Sequence, residues 1–335
     1  MVRCLNCDFF DYCDEHDYRA NILMQNSYLK FWHNNPRRNL WQHPIWEEFQ
    51  KSVGRKTWLL KSDSSSALAI KHNLPLGFSW LEVPRGPLFD SDKGFSGILS
   101  EIQKIGKKEK SVFVRMSPYS ELPQVDNRLS TFRNAVNDHH PKTSLILNLT
   151  QSESDILKQM KPKGRYNIKV AKKHDITVKP SKDIEPFYNL LRKTGNRDGF
   201  GIHPKSYYQK MLDGMSDHTQ LLLAEYQGKV IAGGIFVYLD EWGIYYYGAS
   251  DNEYRNLMAP YLVQWSAIQE SKKRGCKHYD FLGIAPENVK GHPWAGVTEF
   301  KKKFGGKVVD YPVAKELVLR PFWYWVYRIY KKVRH

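Results

Sequence analysis

The chain has 335 residues, 41% hydrophobic content, ten tryptophans and a formal net charge of +16. That length leaves room for two domains, and that apolar content excludes a disordered chain. The charge predicts a polyanionic partner: nucleic acid, a diphosphate-linked substrate or an anionic membrane face.

Residues 1–38 read as a leader, either poorly ordered or a small Cys/His element. Cys4, Cys7, Cys13 and His16 follow C-x2-C-x5-C-x2-H, enough ligands for one tetrahedral zinc. The second spacing is not a common finger pattern and no core-forming sequence surrounds it, so no metal is assigned. The opening residues carry no apolar signal peptide, and no later stretch has the length of a membrane span. The expectation is a cytoplasmic protein.

A first unit covers 39–142. His43–Val53 reads as an amphipathic helix with Ile45, Trp46, Phe49 and Val53 on one side. Strands follow at Lys56–Lys61, Ala67–Lys71 and Phe78–Val83, then a helix at Phe95–Ile105 and a strand at Ser111–Met116. The polar, Pro/Asn-rich stretch from Ser117 to Lys142 reads as a linker with a short helix.

A second unit covers 143–315. It opens on the strand Thr143–Leu149 and a helix near Asp155 capped by Ser152 or Ser154. Next comes Lys161–Lys173, where six of thirteen residues are basic and none is acidic; Ile168 and Ala171 can pack inward while the cations face out. A strand at Ile176–Lys179 and a helix at Ile184–Arg192 lead to two strands flanking Gln227-Gly228, a hairpin signal. The strand Gly243–Ala249, a helix at Pro260–Arg274 and a strand at His278–Leu282 close the unit. Cys276 reads as a small buried hydrophobe. This order is that of a GNAT-like N-acyltransferase domain, and the first unit shows a degraded version of it. The expected fold is α/β: two tandem GNAT-like domains with mixed, largely antiparallel sheets. Leu319–His335 holds six aromatics and five Lys/Arg with no acid, and Phe322, Val326, Ile329 and Val333 share a helical face. It reads as a terminal helix docked on the first domain, with peripheral contact at the inner membrane face as the other use of such a helix.

An acetyl-CoA enzyme of this fold needs a glycine-rich turn whose N–H groups bind the pyrophosphate. The matching stretch, Arg255-Asn-Leu-Met-Ala-Pro260, has no glycine, and Pro260 removes a donor. The fold points to acyl transfer to an amine, and the loop argues against CoA; no cofactor is expected. An aminoacyl ester on tRNA is a competent donor whose carrier suits the charge. Lys161, Lys163, Lys169, Lys172 and Lys173, with Lys302 and Lys303 of the run Lys301–Lys303, are the expected tRNA phosphate contacts. Of Tyr245, Tyr246 and Tyr247, alternation along a strand lets only alternate side chains face a cleft.

Six segments resemble the Fem-type (FemXAB) peptidyltransferases in order: Trp46–Trp58, Pro84-Arg-Gly-Pro87, Arg165-Tyr-Asn-Ile168, Tyr247-Gly-Ala-Ser250, Asn256-Leu-Met-Ala-Pro-Tyr261 and Trp294–Gly306. The resemblance covers nearly everything after residue 40. It implies a C-terminal helix returning to the first domain. It also implies transfer of an amino acid from aminoacyl-tRNA to the position-three side-chain amine of a muramyl pentapeptide, UDP- or lipid-linked. By the same resemblance Lys301 lies beside the transfer centre, and Lys51 and the His203/Tyr207 region meet the precursor's phosphates. An arginine stands in some members where His203 aligns, and a neutral imidazole binds phosphate more weakly. Tyr247 and Phe304 complete the expected substrate contacts. Asp198 is a candidate base, though beside Gly199 it also reads as a turn former. The protein is expected to act as a monomer. The other readings are a non-catalytic RNA-binding protein with this fold, and an aminoacyl-tRNA-dependent transferase acting on protein N-termini or lipids.

Overall fold

The computed structural model describes residues 15–123, 132–287, 289 and 291–333. Cys4, Cys7, Cys13 and the His16 side chain lie outside the described residues, and the zinc reading with them.

The leader contributes a helix, α1 (Glu15–Asn34), whose Tyr28 and Trp32 are buried. Sequence periodicity missed it because this helix is polar on average, with two aromatic anchors only near its end. The first unit continues with α2 (Pro44–Ser52), β1 (Thr57–Ser62), β2 (Ser65–Asn73), β3 (Ser79–Pro84), β4 (Leu88–Phe89), α3 (Asp92–Lys108), β5 (Ser111–Ser117) and β6 (Phe132–Asn134). In α2, Pro44 occupies the first turn, where its missing N–H costs nothing, and the His43 ring accepts from the Ile45 N–H at 3.1 Å. Trp46 and Phe49 then turn inward. Among its described residues, the linker expected to carry a short helix holds the strand β6; its residues pair with β14, a partner far away in sequence.

The second unit comprises β7 (Thr143–Asn148), α4 (Glu153–Gln159), α5 (Pro162–Lys173), β8 (Thr177–Ser181), α6 (Glu185–Asp198), α7 (Lys205–Gly214), β9 (Thr219–Tyr226), β10 (Lys229–Leu239), β11 (Trp242–Ser250), α8 (Ala259–Lys273), β12 (His278–Gly283), α9 (Ala295–Lys301) and β13 (Lys307–Asp310). Ser152 caps α4, accepting from the Asp155 N–H. Gln227 and Gly228 both adopt left-handed conformations, the turn that matches strand twist in a two-residue hairpin. The chain then crosses back: β14 (Lys315–Val318) enters the first sheet between β5 and β6, and α10 (Pro321–Val333) packs on β5.

The first sheet runs β1-β2-β3-β5-β14-β6 with β4 beside β2, and the second β13-β7-β12-β11-β10-β9-β8. Each is antiparallel except for one parallel pair, β3–β5 and β11–β12 respectively. A single apolar cluster joins the two units: Trp32, Trp46 and Phe49 pack in it with Phe187, Tyr208 and Leu221.

Candidate acyl-transfer site

The run Lys301–Lys303 is split by the fold rather than displayed as a cationic lip. Lys301 ends α9 and is 7% exposed; its ammonium donates to the Gly283 carbonyl at 2.7 Å and stands 5.6 Å from the centre of the Tyr245 ring. Burial pulls its pKa down to about 8, against the opposing field of Asp280. Lys302 and Lys303 are half-buried; Lys302 faces Glu287 at 3.5 Å and Lys303 donates to the Glu299 carbonyl. Adjacent residues of a helical turn point about 100° apart, so three lysines in a row cannot share one environment.

The turn that follows fixes this end. Gly305 and Gly306 have φ of 82° and 95°, and a Cβ on Gly306 would lie 2.7 Å from the Ile146 carbonyl oxygen. Only glycine lets this turn sit so close to β7. Phe304 is wholly buried against Tyr261, Phe281 and Phe300. It is a core residue and not the substrate contact expected of it, because the glycine turn drives its ring inward.

Two groups that sequence reasoning passed over belong here: Asp280, whose field acts on Lys301, and Arg85, whose charge acts on Asp280. Asp280 lies within β12 and is buried; it accepts from the Ser144 hydroxyl and from the Leu282 N–H at 2.7 Å. Burial pushes its carboxyl up, while these two donors and the charges of Arg85 and Lys301 pull the other way. Arg85, at the end of β3, donates to the Pro141 carbonyl at 2.8 Å and lies over the Tyr311 ring at 3.9 Å. Its φ is 49°, and Leu282 beside Asp280 has φ 54°. Left-handed non-glycine residues cost of order 1–3 kcal/mol each and cluster where a site dictates the backbone. The available signal was a lone acid in an otherwise apolar strand, Tyr279-Asp-Phe-Leu282.

The three tyrosines of β11 divide unevenly. The register slips between Ile235 and Phe236, which pair with Tyr247 and Tyr245, so Tyr246 is the extra residue of a β-bulge. Tyr245 stacks with Phe236 on the Lys301 side. Tyr246 and Tyr247 both pack on the cluster that joins the units, Tyr246 against Trp41 and Trp46 of the first and Tyr247 against Tyr208 of the second. Strict alternation would have separated them.

The expected phosphate contacts sit together on the seam between α2 and α7. Lys51, in the last turn of α2, is exposed and ion-paired to Glu47 at 2.9 Å. Phe49 of α2 meets Tyr207 of α7, and His203 stacks on Tyr207 with 4.0 Å between ring centres. Burial and the nearby Arg55 charge push the His203 pKa down, so the imidazole is neutral at pH 7. Beside this seam opens a cavity of about 480 Å³ lined by Arg55, Lys56, Lys71, Trp80, Arg115 and Lys331 among others. Asp198 is paired to Arg197 through both carboxylate oxygens at 2.7 and 2.8 Å, which holds it below the usual carboxylate range, and Gly199 caps the helix in a left-handed conformation. It is a turn residue and not a base.

Lys161, Lys163, Lys169, Lys172 and Lys173 are all exposed on α5, while Ile168 and Ala171 are buried. The Lys161 N–H donates to the Lys303 carbonyl at 3.1 Å, and a Cβ on Gly164 would lie 2.5 Å from that same oxygen. The basic helix therefore abuts the segment that carries Lys301. At the position of a CoA loop, Met258 takes a left-handed conformation and α8 starts with Pro260 in its first turn. That backbone offers no glycine-rich cradle for a pyrophosphate.

Two GNAT-type units joined through a packed seam define the tandem N-acyltransferase fold. A solved tandem GNAT protein from the clavulanic acid biosynthesis pathway has the same architecture, with TM-score 0.51 over 91% of this chain and 96% of its own at 9% identity. The chain belongs to the FemAB family, whose profile matches residues 23–140, 131–229 and 225–332. It is 22% identical over 360 residues to a lipid II:glycine glycyltransferase of Staphylococcus haemolyticus, covering 81% of this chain and 86% of that protein. The crystal structure of FemX superposes with TM-score 0.77 and 18% identity, covering 91% of this chain and 98% of that one.

Proposed function

We propose that this protein transfers an amino acid from aminoacyl-tRNA to the side-chain amine of the stem peptide in a peptidoglycan precursor, building an interpeptide bridge. The observation that carries the reading is Lys301: a buried ammonium in the field of Asp280, in a family whose relatives include lipid II:glycine glycyltransferases. The bond to Gly283 uses one of its three N–H groups, leaving donors for a developing oxyanion.

The acceptor amine attacks the ester carbonyl directly. The C–N bond forms, the bond to the ribose oxygen breaks, and the proton lost by the amine leaves with the tRNA hydroxyl. Lys301 stabilises the negative charge on the carbonyl or ribose oxygen. Cys276, the free cysteine among the described residues, is buried with its thiol pushed up to about 11 by burial, which removes it as a nucleophile. Lys51 and the His203/Tyr207 pair hold the phosphates of the carrier, and Tyr247 borders the same seam. The reaction belongs in the cytoplasm, where aminoacyl-tRNA is made.

Mass spectrometry of a muramyl pentapeptide incubated with a mixed aminoacyl-tRNA pool and this protein tests the reading. The expected product gains the mass of an amino-acid residue. An unchanged peptide with tRNA bound supports instead the non-catalytic RNA-binding reading; label on phospholipid or on protein N-termini supports the other transferase reading.

Binding of tRNA through the exposed face of α5 is electrostatic and indifferent to sequence. Changing Lys169, Lys172 and Lys173 to glutamate weakens tRNA binding at least tenfold at low salt and flattens its salt dependence, with the circular dichroism spectrum unchanged. A titration series in which the variant retains wild-type affinity rejects α5 as the docking surface.

A further inference from the structure

α10 has two apolar faces and only one is used. Trp323, Tyr324 and Tyr327 dock on the first sheet: Trp323 meets Phe78 at 4.5 Å between ring centres, and Tyr324 and Tyr327 pack on Phe113. This is not the face of Phe322, Val326 and Ile329 that the sequence suggested. At 100° per residue, Phe322, Trp325 and Ile329 fall within a 60° arc opposite the docked side. They are 66%, 61% and 42% exposed. The turn 75–77 adds Leu76, 81% exposed, and is tied to the same end of the helix through Phe78. A helix that served only to dock would carry polar residues on this outer arc.

Charge says what covers the arc. No acidic residue occurs in α10, and Arg328 and Lys332 border the stripe along one edge. Arg320 precedes it and lies over the Phe78 ring at 5.8 Å. Aromatic and aliphatic side chains bordered by Lys/Arg on a helix lying flat are the composition of an interfacial anchor. Among the described residues no helix is long and apolar enough to cross a membrane, so the contact is with a surface.

We propose that the outer face of α10, with Leu76, binds the surface of an anionic phospholipid bilayer. The cationic cavity is lined by Tyr327 and Lys331 of the same helix. It therefore lies about one helix diameter, ~10 Å, from the bound headgroups. Resting on the transfer reading above, this placement delivers a lipid-linked acceptor at the bilayer surface to the phosphate-binding seam beside that cavity, while a soluble UDP-linked acceptor reaches the seam from solution.

Flotation of the full chain with vesicles of phosphatidylglycerol and phosphatidylcholine, against vesicles of phosphatidylcholine alone, tests the proposal. The wild type floats with the anionic vesicles, and the triple change Phe322→Ser, Trp325→Ser, Ile329→Ser lowers the bound fraction at least tenfold while urea unfolding stays at the wild-type midpoint. Added salt weakens the interaction, and Lys301→Met leaves it untouched. In transfer assays the triple variant loses activity on vesicle-borne acceptor and keeps it on the soluble UDP-linked precursor. A protein that stays in the aqueous fraction at every phosphatidylglycerol content overturns the proposal, whether or not it transfers amino acids. So does a wild type that sediments as a dimer and becomes monomeric on the triple change, which would assign the stripe to a second copy. Vesicle binding without any transfer would leave the membrane face standing and remove the transfer reading alone.

Discussion

Lys301→Met lowers kcat by a hundredfold to a thousandfold, while KM for either substrate changes little. The physical reason is where the charge sits. A surface lysine is exchangeable with its neighbours, but Lys301 is enclosed by Gly283, Tyr245 and the field of Asp280, and Lys302 and Lys303 are directed elsewhere. Neither can substitute for it. A donor aimed at charge that develops only in the transition state contributes about 2.7–4 kcal/mol. Keeping that ammonium buried is costly: a displacement from 10.5 to about 8 corresponds to destabilisation on the order of 3 kcal/mol at neutral pH. Because the folded-state value is the lower one, the unfolded chain holds the extra proton between about 8 and 10.5. Stability therefore rises with pH across that window. The same titration removes the cation, so kcat falls as pH passes about 8. Lys301→Met is then slower and more stable at once, a signature that a merely structural lysine would not give. Lys51→Met, by contrast, raises KM for the phosphate-bearing acceptor and spares kcat, since that contact is the same before and during the reaction. Steady-state kinetics of the two variants with a urea titration of the first check all of this; a Lys301→Met enzyme turning over at the wild-type rate ends the catalytic assignment.

How much of this was legible in the sequence depended on how local the determining physics is. The Gln227-Gly228 hairpin, the Ser152 cap and the inward Trp46 and Phe49 of α2 follow from neighbours within a few residues, and the chain adopts them. The strand β6 was not legible because its pairing partner, β14, is about 180 residues away. The helix α7 went unread between two glycine-bearing stretches, although Tyr208 and Met211 bury into the seam. Within the site, Lys301 was singled out only by resemblance; nothing in a triple-lysine run says which member is enclosed. Tyr246 and Tyr247 share a side because of a bulge that periodicity does not register. Phe304 was misread because an aromatic beside a cation run and two glycines fits a ligand platform and a core plug equally well, and burial decides for the plug. Asp280 and Arg85 matter through each other's fields across the two units, which no single window of sequence contains.

Glu316→Ala destabilises the protein by about 3–5 kcal/mol, as expected for removing one partner of a buried ion pair. Glu316 of β14 lies directly opposite Arg115 of β5 in the register, and both side chains are almost wholly buried. The guanidinium donates to Oε1 through Nε at 2.9 Å and through Nη2, while the Tyr324 hydroxyl donates to Oε2 at 2.6 Å. Arg115 also donates to the Tyr327 hydroxyl at 3.1 Å and faces the Trp80 ring at 4.9 Å. Burial alone would lower the Arg115 pKa, but the charges of Glu316 and Tyr327 and the hydrogen bonds to both together outweigh it and raise it. Alanine at 316 leaves that cation enclosed with no counter-charge, and it strips Tyr324 of its acceptor. The effect extends beyond one contact because this pair is what fastens the C-terminal return to the first sheet across 201 residues of chain. Loosening it releases α10, with the tryptophans that report on its docking. Replacing both partners by apolar residues, Arg115→Met with Glu316→Leu, removes the charges together and recovers most of the loss. Urea unfolding followed by tryptophan fluorescence distinguishes the cases: the single variant shifts to a lower midpoint and the double variant returns toward wild type. If Glu316→Ala unfolds at the wild-type midpoint, the C-terminal return is held by the apolar packing of Trp323, Tyr324 and Tyr327 alone, and the ion pair serves no stabilising role.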